Sequence, residues 1–200
     1  HRRASQWRLL FDSAYAAFYY PWVMVNEGGS HRLVPSSGHV AGVYARCDNA
    51  MGPYRAPANE AVRGIFDMGR NLTDEDIGQL NKEGINCLKS LPQRGIRVWG
   101  ARTASSDPAW RYVPVRRIVN AVISSVERGL QWAVFENNDR FLWKQLVHQV
   151  TSFLLELWQA GFFKGATPED AFYVKCDEET NPPDVRDAGQ VIVECGVAPV

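Results

Sequence analysis

The segment from Gly84 to Ile118, GINCLKSLPQRGIRVWGARTASSDPAWRYVPVRRI, constrains the fold more than any other part of the chain. Ile85 to Leu91 and Ile96 to Trp99 read as two short apolar strands, with Pro92 and Gly95 as turn residues between them. Gly100 follows as a hinge, then a polar Ser/Asp/Pro loop, then a long helix. A strand pair feeding a helix in this way requires a sheet with at least one helix laid on it, which is α/β (α+β) architecture.

The flanking sequence continues that pattern. Ala16 to Val25 is aromatic and β-branched, as a buried strand is. Ser36 or Ser37 stands where an N-cap belongs, and the helix it opens ends at Gly52-Pro53. Thr73 with Asp76 three residues on predicts a capping box and a helix through Lys82. From Arg116 to Leu130 the apolar residues Ile118, Val119, Val122, Ile123 and Val126 fall at helical spacing. A second long helix, Asp139 to Ala160, carries Leu142, Leu146, Val150, Phe153 and Leu157 on one face, with Gly161 placed as its C′ glycine. Between the two, Trp132 to Phe135 reads as a short strand, which implies helix crossovers packed on a mixed sheet. A one-turn helix at Thr167-Pro168-Glu169 leads into a strand from Phe172 to Cys176. The loop Asp177 to Asp187 is acidic, and the closing strand runs from Val191 to Val197.

The chain has 200 residues and equal numbers of acidic and basic side chains, so its total charge favours neither nucleic acid nor a membrane surface as partner. No apolar run is long enough for a transmembrane helix. Cys47, Cys87, Cys176 and Cys195 are widely scattered, which favours reduced, buried thiols over disulfides or a zinc site. A nucleophile elbow, an H-E-x-x-H pair and a phosphate-binding glycine loop are all missing. Of the histidines, His148 shares a helix side with Gln145, Ser152 and Glu156 and reads as part of a solvated face, while His39 reads as a packing or capping residue. Asp74, Glu75 and Asp76 read as helix N-terminal acids complementing the dipole rather than metal ligands. No catalytic group and no cofactor site is expected. One asymmetry stands out: between Arg94 and Arg128 the chain holds Arg94, Arg97, Arg102, Arg111, Arg116, Arg117 and Arg128 against only Asp107 and Glu127. Arg forks pair bidentately with carboxylates, so a basic strip of this kind suits an acidic protein surface, such as the Asp177 to Asp187 loop of a neighbouring subunit or an inner tube.

Three stretches, GINC followed by RGIRVWGART, then SSDPAWRYVPVRR, and later QWAVFENND, resemble the C-terminal conserved region of contractile tail-sheath proteins. YAAFYYPWV, VPSSGHVAGVYARCDNAMGPYRAPAN, FLLELWQAGFFKGATPEDAFYVKCDEETN and GQVIVECGVAPV resemble further family segments in the same order. The resemblance implies a single sheath core over residues 1–200, expected to be a fragment lacking the N-terminal arm and the end of the C-terminal arm. It implies a structural subunit that polymerises helically around an inner tail-tube protein, with baseplate and terminator proteins as further partners. Such a particle is assembled in the bacterial cytoplasm and works as a virion tail or a released injection particle. The family's strand exchange points to Gln190, Val191, Ile192, Val193, Glu194, Cys195, Gly196 and Val197. Arg116, Arg117, Arg111 and Arg102 are candidates for contacts with the tube or a neighbour. Two alternatives remain at this point: a sheath-like baseplate or terminator component, and an enzyme or small-ligand domain with a site in the Gly100 to Asp107 loop.

Overall fold

The most buried strand of the chain is β5 (Ile85–Leu91), and the first unit is organised around it. The structure, a computed structural model, describes residues 2–200, with side chains from residue 4 onward. β5 lies between β1 (Phe18–Tyr20), which runs parallel to it, and β6 (Gly95–Trp99), which runs antiparallel. Strand residues alternate faces. Ile85 and Cys87 therefore pack with Ile77 and Leu80 of helix α3 (Asp74–Lys82). Leu88, with Val98 of β6, packs with Val40, Val43 and Cys47 of helix α2 (Ser37–Met51). The expected mixed sheet with helices against it is present, and the two strands of the diagnostic segment fall where the sequence places them.

Local chemistry explains the helix ends. Thr73 Oγ1 accepts from the Asp76 amide at 3.2 Å and the Asp76 carboxylate accepts from the Thr73 amide at 3.0 Å, closing the box that starts α3. At α2 the position is right but the cap is not: Ser36 has helical backbone angles, its side chain makes no capping bond, and its carbonyl simply takes the Val40 amide at 2.9 Å. Gly52, at φ +89°, ends that helix as its position suggests.

One expectation fails in this first unit, and two elements go beyond what the sequence announced. A helix α1 (Arg2–Leu9) opens the described chain, unannounced by any cap or clean stripe. The single strand foreseen over Ala16 to Val25 is two, because Pro21 supplies no amide for a ladder; Phe18–Tyr20 joins β5, while β2 (Val23–Glu27) enters another sheet. β2 forms a hairpin with β3 (Ser30–Val34) through Gly28 and Gly29, both at positive φ as a tight primed turn requires. A two-residue β4 (Asp67–Met68) flanks β2 on its other side.

Contacts divide the chain into a first unit ending at Arg117 and a second running Ile118–Val200. The boundary falls within helix α4 (Val113–Gly129). The second unit is built on helix α5 (Arg140–Gln159). Asp139 Oδ1 accepts the Phe141 and Leu142 amides at 2.9 and 3.0 Å to start it. At the far end the Phe162 amide reaches back to Leu157 O and Gly161, at φ +83°, bonds Trp158 O, the six-to-one and five-to-two pairing of a Schellman end. Leu142, Trp143 and Leu146 bury with Cys176, Val191 and Val193. One-turn helix α6 (Pro168–Ala171) leads directly into β7 (Phe172–Lys175). Helix α7 (Pro183–Asp187) and β8 (Glu194–Val197) follow, β8 pairing antiparallel with β7.

The strand expected at Trp132 to Phe135 does not form. Gln131–Ala133 is a 3-10 turn, with the Ala133 amide on Leu130 O and the Val134 amide on Gln131 O. Phe135 sits at φ +72° and is wholly exposed, and Ala133 alone of the run packs against the α5 core, so the apolar run has no partner strand to join. His148, by contrast, lies on an exposed helix face with Gln145, Ser152 and Glu156, as its spacing predicts.

Candidate assembly surfaces

The closing strand is shorter than the alternation suggests. Only Glu194, Cys195, Gly196 and Val197 form β8; Gln190, Val191, Ile192 and Val193 are irregular chain. The cause is Asn181, fully buried, whose side chain accepts from the Ile192 amide at 2.7 Å and donates to the Ile192 carbonyl at 3.0 Å. An amide group that takes both backbone groups of one residue does the work of a partner strand, so no ladder forms there. Val191 and Val193 are consequently turned into the α5 core.

Within the ribbon, Tyr173 lies opposite Gly196, and a Cβ built on Gly196 would meet the Tyr173 ring at 2.1 Å. Glycine is needed there for the close approach of a ring, whose hydroxyl then donates to Glu194 Oε1 at 2.7 Å. After β8 the chain runs beside residues 162–164, with the Lys164 amide on Ala198 O at 2.7 Å and the Val200 amide on Phe162 O. Among the described residues β7 and β8 pair only with each other, so each keeps an outer edge without a strand.

The arginines divide sharply. Arg116 is 8% exposed, its guanidinium carbon 3.6 Å from the Trp110 ring centroid and 4.7 Å from that of Tyr15. Arg117 pairs with Asp48 and lies 4.7 Å from the Tyr44 ring, whose hydroxyl meets that of Tyr19 at 2.6 Å. Burial raises the ionisation of both tyrosines above the ordinary phenol range, so this network holds neutral hydroxyls. Arg102 donates to Asn81 O at 2.9 Å, and Arg94 to Asn59 Oδ1 at 3.3 Å. The Arg111 side chain is exposed and makes no hydrogen bond or ion pair among the described residues. The strip imagined from sequence is therefore mostly engaged with this chain's own rings and carbonyls. Arg111, with Arg102 beside it, remains presented to solvent in a cleft of about 300 Å³ that also holds Arg8, Lys82, Glu83 and Ser106. Sequence reading missed Arg8 and Lys82, since nothing in the pattern brings residues so far apart together.

The second glycine of RGIRVWGART, Gly100, has a packing role instead of the hinge role its position suggests. A Cβ on Gly100 would stand 2.8 Å from Asn86 Oδ1 and 3.1 Å from Asn86 Cα. That room lets the fully buried Asn86 accept from the Arg102 amide at 2.7 Å and donate to Arg102 O and Phe18 O at 2.8 and 3.0 Å.

The Gly100 to Asp107 loop is committed in the same way. Thr103 donates to Trp110 O at 2.6 Å, Ser106 binds Asp12, and Asp107 caps the turn at Ala109. The Ser106 hydroxyl and amide hold the Asp12 carboxyl below the usual range, a poor setting for a base. Burial pushes the Cys87 thiol up to about 12 and raises Cys47, Cys176 and Cys195, so none is poised as a thiolate. Among the described residues no three His, Cys, Asp or Glu side chains gather as metal ligands, and no helix is long and apolar enough to cross a membrane.

Comparison with known proteins gives one coherent result. A model of the phage tail sheath protein central domain matches residues 4–104, and one of the phage tail sheath C-terminal domain matches residues 105–200. A prophage major tail sheath protein of Pseudomonas aeruginosa is 32% identical over 137 residues, covering 66% of this chain and 34% of that protein. The tail sheath protein of Salmonella phage ViI is 26% identical over 202 residues, 96% of this chain and 31% of its own. Among solved structures, the sheath complex of the extracellular contractile injection system PVC in its contracted state superimposes at TM-score 0.90 with 35% identity, over 100% of this chain and 56% of that one. A chain of the anti-feeding prophage baseplate superimposes at 0.89 with 36% identity, over 94% and 52%. The chain spans about a third of these two phage-type relatives and about half of the two injection-system chains.

Proposed function

The chain belongs to the phage tail sheath family, a family of structural proteins, and on that premise we propose that it is the core of a sheath subunit of a contractile tail or injection system. The observation that carries this reading is end-to-end correspondence: the two family domains occupy residues 4–200 in order. The polymer is helical and homo-oligomeric, it surrounds an inner tube, and its contraction drives that tube through a target envelope. Baseplate and terminator proteins close its ends, and assembly takes place in the bacterial cytoplasm. The role is mechanical and not enzymatic. Heterologous contacts between identical subunits whose rotation does not close extend indefinitely, as a sheath requires.

The open ribbon edges support strand exchange. An arm from a neighbour adding to β7 or β8 would gain main-chain hydrogen bonds independent of its side chains, a linkage that can persist while other contacts change. The acceptor strand is Glu194 to Val197; Gln190 to Val193 would present their remaining backbone from the Asn181-pinned turn. Of the candidate tube or neighbour contacts, Arg102 and Arg111 are the better exposed, while Arg116 and Arg117 would first have to leave partners inside the subunit. Substituting Arg102 and Arg111 with Glu in the full-length parent should weaken either cylinder formation or co-sedimentation with the tube; no change in either refutes both contacts.

A sheath-like baseplate component is the second reading, favoured by the likeness to the anti-feeding prophage baseplate chain. Electron microscopy of the full-length parent, alone and with its tube, separates the two. Long hollow striated cylinders are expected, and discrete particles under both conditions would turn the assignment to the baseplate.

A further inference from the structure

The neutral total charge conceals a strong polarity. Up to Arg117 the sequence holds sixteen Lys and Arg against ten Asp and Glu, a formal charge of +6 with His neutral. From Ile118 onward it holds six against twelve, a formal charge of −6. The first unit gathers part of its excess in the cleft, where Arg8, Lys82, Arg102 and Arg111 have Glu83 in the lining and Asp12 beside Arg8 and Ser106 as counter-charges. Arg8 Nε is buried there without a partner, and Arg111 is unpaired. The second unit gathers part of its excess between Asp177 and Asp187. In that stretch Glu178 pairs with Arg140, and Asp177 and Glu179 with Lys175, leaving Asp184 and Asp187 exposed with no cation among the described residues. These two lie three residues apart on α7, while Arg186 between them sits 5.9 Å from the Trp143 ring.

We infer that successive copies dock through this polarity, the Arg8–Lys82–Arg102–Arg111 cleft of one subunit receiving the Asp184–Asp187 face of the next. The inference rests on the sheath reading and names one contact of that polymer. The occupant is a second copy because the chain carries both halves of the complementary pair in equal amount, and the contact is heterologous, the kind that builds a helical filament where its rotation does not close. Exposed pairs are individually weak, but the whole oppositely charged faces act together, and salt screens them. The cleft gives direction and register, and the ribbon edges give the durable linkage.

The test uses the full-length parent, with cylinder yield read by sedimentation and negative-stain microscopy. Raising ionic strength from about 0.1 to about 1 M, which shrinks the screening length from roughly 10 to 3 Å, should raise the concentration needed for assembly about tenfold. Asp184→Lys with Asp187→Lys, and separately Lys82→Glu with Arg111→Glu, should each lower yield at least about tenfold at low salt. Mixed in equal amounts they should recover it, because each reversed face then meets its opposite in an alternating polymer. Milder Asp184→Asn with Asp187→Asn, with an unchanged circular dichroism spectrum, should give an intermediate loss and guards against misfolding. Native yield from both reversed variants, or no recovery on mixing, overturns the inference and leaves the sheath reading standing. Native cylinders that no longer bind the tube would assign the cleft to the tube and likewise overturn it. Absence of cylinders from the unmodified parent removes the sheath reading and this contact together.

Discussion

The sheet around β5 and the ribbon of β7 and β8 solve the same problem in opposite ways. β5 is flanked on both sides, and β6 at the sheet's margin is met by residues 59–62, with the Asn59 and Val62 amides on Val98 O and Ile96 O and the Val98 amide on Glu60 O. The ribbon has two strands and no such cover among the described residues. A two-stranded ribbon is marginal in water unless something packs on it or adds to it. On the proposed sheath reading, the difference divides the labour within the subunit: the first unit would supply a rigid body, and the second edges that assembly could complete.

Each unit relies on one buried asparagine, and removing each breaks the comparison at its root. Asn86→Ala strands the Arg102 amide, Arg102 O and Phe18 O and should cost about 3 kcal/mol in denaturant unfolding. Asn181→Ala strands the Ile192 pair and removes a donor from Cys176 Sγ, while Asp177 O and Thr180 Oγ1 keep other partners, so it should cost about 2 kcal/mol while freeing Gln190 to Val193 to extend β8. Equal costs would mean the two units are not differently built. Arg116→Ala comes next at about 2 kcal/mol, from loss of a desolvated stack between Trp110 and Tyr15. Gly196→Ala should cost about 1 kcal/mol and swing Tyr173 from Glu194; Tyr173→Ala in the same chain should relieve it, a non-additivity readable in a double-mutant cycle.

The smallest effect concerns the α3 cap. Thr73→Ala should cost about 1 kcal/mol. The Thr73 amide and hydroxyl hold the Asp76 carboxyl below its ordinary 3.8. A depressed folded value contributes stability above 3.8 and loses it as pH falls through the folded value, so the gap between native and Asp76→Asn melting should close only in acid, below about pH 4. A gap that persisted at pH 2 would show that the carboxylate's charge is not what matters.

Much of the rigid body was legible because local rules and burial agreed there. Ile85 to Leu91 is apolar and bounded by turns, and the Thr73 box and Asp139 cap are read from spacing alone. The second unit resisted because long-range polar bonds overrode local pattern. Val191 to Val197 alternates like a strand, yet Asn181 claims Ile192; Trp132 to Phe135 is apolar yet has no sheet to join. The Gly28-Gly29 hairpin was present as a turn signal and overlooked in favour of a longer strand, and no spacing rule could have paired Tyr173 with Gly196. For the arginines, count in sequence overstated surface charge, since aromatic rings and carbonyls had already taken Arg116, Arg117 and Arg94.

Amide hydrogen exchange of the full-length parent, compared between the dispersed subunit and the assembled cylinder, tests the division of labour most directly. The account predicts that β5 amides are slow in both states, while amides of Phe172–Lys175 and Glu194–Val197 exchange fast in the subunit and become protected on assembly. Ribbon amides equally protected in both states, or equally fast in both, would contradict it.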